Sequence, residues 1–168
     1  MTKLIVLRGN SGSGKTTVAK ELQNKFGNNT MLLSQDVIRR DILKVKDGEN
    51  TLALPLMKEL LRYGRSHSDV VILEGIMCAD WYRPLFELAV ELYGSNVYAY
   101  YFDISFEETL RRHQTKPNCA SFGAKEMRKW WRDKDFSTVL QEVSITDEKD
   151  MQSIVAEIYH TILNEEED

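Results

Sequence analysis

The segment Gly9–Thr16 reads GNSGSGKT, and it decides the fold. It follows an apolar run, Lys3–Arg8 (KLIVLR), and it precedes a segment with apolar residues at helical spacing, namely Val18, Ala19, Leu22 and Phe26. The pattern G-x-x-x-x-G-K-[ST] is complete, and it stands between a predicted strand and a predicted helix. The sequence therefore predicts a phosphate-binding loop at this junction.

The residue types of this segment match the chemistry of a bound triphosphate. Backbone N–H groups that converge on a phosphate need φ values open only to glycine at several positions, which Gly9, Gly12 and Gly14 provide. The N-terminus of the next helix adds unpaired N–H groups. Lys15 then places its ammonium group against the β- and γ-phosphates, and the Thr16 hydroxyl ligates Mg²⁺. The predicted nucleotide-binding set is completed by Asn10, Ser11, Ser13 and Thr17.

Length and composition indicate one ordinary globular domain. The chain has 168 residues, of which 42% are hydrophobic and 29% charged, so we expect a single domain over residues 1–168. Its apolar runs are too short to span a bilayer, and no basic segment followed by an apolar one begins the chain. We expect a cytoplasmic protein with no membrane partner, in which Cys78 and Cys119 are reduced thiols.

The charge of the chain is unevenly distributed. The net charge is −4, which argues against general affinity for nucleic acid. Residues 111–132 nevertheless contain seven basic side chains against the single acid Glu126, so this segment carries +6 and the remainder −10. Such a concentration of positive charge predicts an anionic ligand close to this segment.

Strand-like and helix-like segments alternate along the chain. Four further strands are predicted at Thr30–Ser34, Asp69–Glu74, Asn96–Asp103 and Glu142–Thr146. Helices are predicted near Val37–Val45, Thr51–His67, Asp80–Tyr93, Ala124–Asp133 and at the C-terminus, and Ser105 with Glu108 forms a capping-box pattern before another. The alternation predicts an α/β three-layer sandwich with a five-stranded parallel sheet.

Other motifs separate the classes of nucleotide-binding protein. A GTPase requires a guanine-reading N/T-K-x-D segment, and the nearest candidate, Arg132–Asp135 (RDKD), lacks the first residue. Motor and transporter ATPases usually have larger domains and an apolar strand that ends in Asp-Glu, whereas here VVILEG ends in Glu74 and Gly75. Size and motifs favour a kinase.

Four segments together resemble a known group of enzymes: GNSGSGKTTVAKEL, SQDVIRRDIL, VILEGI and FDISFEETLRRHQTK. They are similar to the small P-loop kinases of the nucleoside (uridine) and polynucleotide kinase group, which also includes gluconate kinase, chloramphenicol phosphotransferase and zeta-toxin-like kinases. The resemblance covers about Lys3 to Asp135, and it implies the P-loop NTPase/kinase fold with a basic lid. SQD with VILEGI resembles uridine kinase, whereas DVIRRDI resembles polynucleotide kinase, so reaction type is better defined than acceptor.

The resemblance implies roles for residues at two strand ends. Asp36 matches the acidic residue that faces the acceptor hydroxyl, and Arg39 matches a substrate-binding arginine. An alternative role for Asp36 is helix N-cap, because it precedes an apolar helical run. Glu74 ends the third strand, at the edge of the sheet where ligands bind. Its carboxylate either holds Mg²⁺ through water or accepts a hydrogen bond from a substrate hydroxyl. Alternatively, Glu74 is only a capped strand end.

The basic segment, about residues 112–132, matches the mobile lid of these kinases. Arg112 and Lys116 are four residues apart, and the resemblance implies that they hold the transferring phosphoryl group. Alternatively, Glu107–Arg111 and Glu108–Arg112 are i,i+4 pairs of a solvated helix. Arg128 and Arg132 are expected on one helix face, beside Trp130 and Trp131. The aromatic residues and arginines together could stack a base. The simpler alternative is that one of the two tryptophans packs into the core.

The sequence as a whole predicts a kinase that uses ATP and Mg²⁺ to phosphorylate a hydroxyl of a small molecule, nucleoside-like or sugar-like. A polynucleotide 5′-hydroxyl kinase is the first alternative, although the acidic body of the chain disfavours nucleic acid. A non-enzymatic nucleotide-binding regulatory module is the second alternative.

Overall fold

The computed structural model describes residues 1–117, 120 and 122–164. The strands are β1 (Lys3–Gly9), β2 (Thr30–Ser34), β3 (Val70–Gly75), β4 (Val97–Phe102) and β5 (Glu142–Ile145). The helices are α1 (Lys15–Phe26), α2 (Gln35–Val37), α3 (Ala53–His67), α4 (Arg83–Tyr93), α5 (Phe106–Gln114), α6 (Ala124–Trp130) and α7 (Met151–Asn164). A π-helical turn, Ile38–Leu43, continues α2, and a 3₁₀ turn, Gly94–Asn96, follows α4.

The five strands form one parallel sheet in the order β2-β3-β1-β4-β5. β1 lies at its centre, and every residue of β1 and of its neighbour β3 is buried. A strand covered on both faces needs apolar residues at nearly every position, which explains the unbroken runs LIVL and VVIL. The predicted three-layer α/β sandwich is confirmed.

Alternate residues of the strands enter two separate cores. Leu4 and Val6 of β1 point to the side covered by α3 and α4, where they pack with Met57 and Phe86. Ile5 and Leu7 point to the other side, against α1 and α7. Because successive side chains of a strand alternate between its faces, one apolar run serves both layers. The two cores thus fix α1, and with it the loop before α1, at the carboxyl end of β1.

Two local predictions require correction. The helix expected near Val37–Val45 is a single α-turn followed by the π-helical turn, and it ends at Lys44 with a left-handed backbone (φ 54°). The Ser105 hydroxyl does accept a hydrogen bond from the Glu108 N–H (3.3 Å). The Glu108 carboxylate, however, binds Arg111 and Arg112, and Asp147 instead accepts from the Ser105 N–H. Stronger charge-assisted partners therefore replace half of the predicted capping box.

None of the helices in the described part of the chain combines the length and the apolar composition that a membrane span requires. Cys78 is a buried free thiol, as expected. Cys119, for which the same state is predicted, lies outside the described residues.

Candidate active site

The loop between β1 and α1 has the backbone that its glycines imply. Gly9, Gly12 and Gly14 have φ values of 145°, 77° and 101°. Gly12 is constrained twice, because a Cβ atom there would also lie 2.7 Å from the carbonyl oxygen of Thr109 in α5. Any larger residue would push α5 away from the loop. The sequence predicted the φ requirement, whereas the contact with α5 depends on the fold.

Lys15 is held inside this loop. Its Nζ donates to the carbonyl oxygen of Asn10 (2.7 Å) and to the hydroxyl of Ser13 (3.1 Å), and only 6% of the residue is exposed. Burial lowers the pKa of Lys15 to about 8, although the nearby carboxylate of Glu74 acts in the opposite direction. Because this buried ammonium group is poorly solvated, its interaction with an anion such as a phosphate is strongly favourable.

Thr16 lies beside the end of β3. Its hydroxyl donates to Oε1 of Glu74 (3.2 Å), and Glu74 is only 3% exposed. A hydroxyl and a carboxylate are oxygen donors, and Mg²⁺ prefers oxygen ligands from one or two carboxylates together with substrate phosphates. The two side chains thus offer oxygen donors of the kind that a magnesium ion takes. Glu74 is more than a solvated strand end, because its carboxylate is buried and faces the loop.

Two basic residues of the predicted lid lie against the same loop. Arg112 Nη1 donates to the Ser13 carbonyl oxygen (2.7 Å), while its Nε donates to Glu108 (2.9 Å). Lys116 follows the end of α5, and burial lowers its pKa. The expected Glu108–Arg112 pair is present, whereas Arg111 pairs with Glu108 rather than with Glu107. One carboxylate therefore orients both arginines.

Lys15, Thr16, Glu74 and Lys116 line a cavity of about 420 Å³, which we call the nucleotide cavity. Arg112 does not line it and lies instead in a neighbouring pocket, together with Gly14 and Thr17. The walls of the nucleotide cavity come from the loop, the start of α1, the ends of β2 and β3, and the lid; they include Ser11, Gly12, Gly14, Lys15, Thr16, Thr17, Asp36, Glu74 and Lys116. Lys15, Lys116 and Glu74 interact electrostatically. The structure thus gathers residues from four separate segments of the sequence at one edge of the sheet.

Asp36 lies in the first turn after β2. The helix N-cap is Ser34, whose hydroxyl accepts from the Val37 N–H, so the alternative role of Asp36 as N-cap is wrong. Oδ1 of Asp36 accepts hydrogen bonds from Arg39 (2.9 Å) and Arg40 (3.0 Å). Its Oδ2 accepts none from the described residues, and 58% of the side chain is exposed. One oxygen is therefore oriented, and the other is accessible to a ligand.

A second cavity, of about 650 Å³, adjoins the first, and we call it the acceptor cavity. The two cavities share five lining residues: Gln35, Asp36, Arg40, Ile76 and Trp130. Asp36 thus stands at their common wall, between the phosphate-binding loop on one side and the acceptor cavity on the other.

The aromatic part of the lid differs from the prediction. α6 ends at Trp130, so Arg128 and Arg132 do not lie on one helix face. Arg128 lies over Phe106 and Arg132 over Trp81, with the guanidinium carbons 3.5 and 4.7 Å from the ring centroids. Neither Trp130 nor Trp131 is buried; Met127 is the residue of α6 that packs inward. The expectation of a core tryptophan is therefore wrong, and the indole rings remain accessible.

Comparison with known proteins places this geometry in a family. A family model described as an AAA domain matches residues 4–133. The chain belongs to that family. No curated protein matches this AAA-domain chain in sequence.

Solved structures with the same fold include three small-molecule kinases. A gluconokinase from Sinorhizobium meliloti is 17% identical, with 96% of this chain and 92% of that chain covered and a TM-score of 0.61. Shikimate kinase from Acinetobacter baumannii, in complex with shikimate, is 20% identical (98% and 95% covered, TM-score 0.61). APS kinase from Mycobacterium tuberculosis, in complex with AMPPNP and APS, is 18% identical (97% and 98%, TM-score 0.62). The P-loop kinase fold is confirmed, and the nearer resemblance to uridine and polynucleotide kinases stays a prediction.

One structurally important residue of this AAA domain escaped the sequence argument. Arg8, at the end of β1, is fully buried. It pairs with Glu142 (2.6 Å) and Asp135 (3.2 Å), and it also donates to the carbonyl oxygen of Met77. Arg8 thereby joins the segment after the lid to the loop after β3. A charged residue directly before the glycine loop was the available signal, but its partners are more than 60 residues away in sequence.

Asn10 makes a similar connection from within the phosphate loop. Its amide nitrogen donates to the carbonyl oxygen of Arg132 (2.6 Å), and its amide oxygen accepts from the Arg132 N–H (2.9 Å). Two hydrogen bonds to one peptide fix the end of the lid segment relative to the loop. Asn10 was predicted only as part of the nucleotide-binding set.

Proposed function

We propose that the protein is an ATP-dependent kinase that transfers the γ-phosphoryl group to a hydroxyl of a small molecule, nucleoside-like or sugar-like. The observation that carries this proposal is the position of Asp36 at the wall shared by the nucleotide cavity and the acceptor cavity. Phosphoryl transfer needs a bound triphosphate, an acceptor in line with it, and a group that takes the proton of the acceptor. A nucleotide-binding regulatory module has no need of the second cavity.

The proposed roles follow from the contacts. Lys15 and the N–H groups of residues 9–17 bind the phosphates, while Arg112 and Lys116 approach from the lid and compensate the charge that spreads over the transferring group. Thr16 and Glu74 would hold Mg²⁺, which would neutralise phosphate charge when bound. Because the arginine contacts occupy Oδ1 of Asp36, its Oδ2 is the oxygen that accepts the proton of the acceptor hydroxyl. Arg39 orients Asp36 and lines the acceptor cavity.

The relatives support the reaction type at a coarse level. The three similar structures are kinases, and two of them contain shikimate or APS. At identities of 20% or less they indicate a shared fold, and the acceptor of this chain is a separate question.

The test is direct. The protein is incubated with Mg-ATP and a panel of nucleosides, nucleoside monophosphates, sugars, sugar acids, aminoglycosides and oligonucleotides, and each acceptor is examined for a mass gain of one phosphate. We expect a gain with the wild type and none above background with Lys15→Ala, which removes the buried ammonium group; such groups are worth about 10²–10³ in rate. ATP binding without transfer to any acceptor would instead favour a regulatory module.

A polynucleotide 5′-hydroxyl kinase remains the second candidate, because Asp36 and Arg39 have the spacing found in that group and basic residues line the acceptor cavity. Transfer to the 5′ end of an oligonucleotide in the same panel would support it.

A further inference from the structure

The acceptor cavity contains every tryptophan of the chain. There are three, Trp81, Trp130 and Trp131, and all of them line it. They come from the loop before α4 and from the end of α6, two segments about 50 residues apart. Trp130 is 43% exposed and faces both cavities. A large exposed indole at the wall of a cavity is a surface on which a planar ring stacks.

The cavity is also positively charged. Five basic side chains line it against two acidic ones, which gives a net charge of +3 in a chain of net charge −4; they are Arg39, Arg40, Lys46, Lys129 and Arg132 against Asp36 and Asp47. Arg39 and Arg40 are already paired with Asp36. Within the described part of the chain, Lys46, Lys129 and Arg132 have no ion-pair partner. The positive charge is therefore available to a ligand.

The acidic residue Asp47 is fixed in the wall of the cavity, and its negative charge is already included in the net +3. Its Oδ1 accepts hydrogen bonds from the Tyr82 hydroxyl (2.7 Å) and from the Gly48 N–H (3.0 Å). The same hydroxyl accepts from the side-chain amide of Gln35 (2.8 Å). Burial, aided by the bond to Asp47, raises the pKa of Tyr82, so the hydroxyl keeps its proton as donor. This chain of bonds fixes the floor of the cavity next to Asp36.

Arg132 is held in place before any ligand arrives. Its guanidinium lies over the Trp81 ring, at 4.7 Å from the centroid, and its peptide is paired with Asn10. Asp135 joins the two loops, because it accepts from the Ala79 N–H (2.9 Å) and pairs with Arg8. An arginine that is stacked on one face and paired with no carboxylate is pre-organised to bind an anion through its edge.

We propose that the acceptor cavity takes an anionic hydroxyl compound with a planar ring, which is the chemistry of a nucleotide. This inference rests on the proposed kinase function and names its substrate class. The ring stacks on Trp130, the anionic group binds Arg132 with Lys129 nearby, and the hydroxyl lies at Asp36. A mononucleotide and the terminus of a polynucleotide share this chemistry.

The three tryptophans provide the measurement, because all of them line the acceptor cavity; Trp130 also faces the nucleotide cavity, which is therefore occupied before the titration. The nucleotide cavity is first saturated with Mg²⁺ and a non-hydrolysable ATP analogue. The protein is then titrated with uridine (ring without anion), gluconate (anion without planar ring), uridine 3′- and 5′-monophosphate (both), and a short oligouridylate. We expect at least one uridine monophosphate to bind about 10–100-fold more tightly than uridine or gluconate, since a charge-assisted hydrogen bond adds to stacking.

Variants separate the two contacts. Arg132→Gln is expected to weaken monophosphate binding by about 10–100-fold and to leave uridine binding unchanged. Trp130→Leu is expected to weaken the binding of uridine and of the monophosphate by about 10-fold each. Trp130→Phe, which keeps an aromatic ring face, is expected to retain most of the wild-type affinity. Arg83→Gln is the matched control, because Arg83 forms an exposed pair with Glu87 on α4 and does not line the cavity. Thermal melts verify that each variant is folded.

The outcomes distinguish this inference from the kinase proposal. Monophosphate binding that depends on Arg132, without phosphoryl transfer from Mg-ATP to any acceptor, would support the ligand class and overturn the kinase. Transfer to uridine or gluconate with a kcat/KM at least equal to that of the monophosphates, and unaffected by Arg132→Gln, would overturn the inference and leave the kinase. Absence of a fluorescence response to both monophosphates and to the oligouridylate would also overturn it. Tighter binding of the oligouridylate than of either monophosphate supports the class and assigns the ligand to a nucleic-acid end.

Discussion

Replacement of Lys15 by methionine is expected to stabilise the nucleotide-free protein while it removes nucleotide binding. Lys15 is 6% exposed, and burial lowers its pKa from the ordinary value of 10.5 to about 8. Each pKa unit corresponds to about 1.36 kcal/mol, so the buried charge lowers the free energy of unfolding by about 3 kcal/mol at pH 7. Methionine has a similar length and no charge, but it forfeits the hydrogen bonds to Asn10 and Ser13, at about 1 kcal/mol each. The net expectation is a gain of about 1 kcal/mol.

The pH dependence of this gain has a definite sign. Between pH 8 and 10.5 the unfolded chain binds the Lys15 proton and the folded protein does not, so the free energy of unfolding of the wild type rises with pH in this window. Below pH 8 both states are protonated, and the full cost of burial applies. The methionine variant lacks this titration. The stability of the variant relative to the wild type therefore falls by about 2 kcal/mol between pH 7 and pH 10.

Urea unfolding followed by circular dichroism at pH 7, 8, 9 and 10 measures both quantities, and the titration of groups that do not interact with Lys15 cancels in the difference between the two proteins. Lys20→Met is the matched control, because Lys20 is an exposed lysine of the same helix. A stability difference between Lys15→Met and wild type that is constant from pH 7 to pH 10 would refute the reasoning. ATP binding by Lys15→Met that equals the wild type would refute the assignment of the phosphate loop.

Three further substitutions test the site and its support. Asp36→Asn keeps the shape of the side chain and removes its basicity, so ATP affinity and Tm should stay near wild type. The rate of acceptor phosphorylation, measured by steady-state kinetics, should fall by about 10²–10⁴-fold. Full activity would place the proton acceptor elsewhere, with Glu74 the next candidate. Glu74→Gln should raise the Mg²⁺ concentration needed for half-maximal ATP binding by about 10–100-fold, and an unchanged titration would leave Glu74 as a partner of Thr16 alone. Arg8→Met leaves the buried carboxylate of Glu142 without its partner, so urea unfolding should show a free energy of unfolding lower by about 3–5 kcal/mol. The exposed control Arg83→Met should lower it by less than about 1 kcal/mol. Equal losses in the two variants would contradict the buried network.

The sequence by itself determined the elements and the loop. A strand covered on both faces requires a continuous apolar run, and β1 and β3 could be located to within a residue for that reason. The phosphate loop is equally local, since its φ requirements, its lysine and its hydroxyl all lie within Gly9–Thr16. Such features depend on residues that are adjacent in the chain, so a sequence pattern is enough to predict them.

Predictions that depended on partners distant in sequence were less successful. Glu108 was expected to cap α5, but two arginines bind its carboxylate more strongly than a backbone N–H would. A tryptophan of residues 130–131 was expected in the core, but Met127 takes that place because α6 ends at Trp130. Asp36 was open to a capping role until Ser34 was seen to occupy it.

Only the tertiary structure decided which of these residues meet. The strand order β2-β3-β1-β4-β5 brings the ends of β2 and β3 beside the phosphate loop, so that Thr16 reaches Glu74, 58 residues away in sequence. The same order lets Arg8 and Asn10 hold the segment 132–135 against the loop that carries Trp81, which creates the acceptor cavity. The crossover connections and the packing of the two cores set this strand order. Both depend on contacts between residues that are distant in sequence, so no local sequence pattern reveals them.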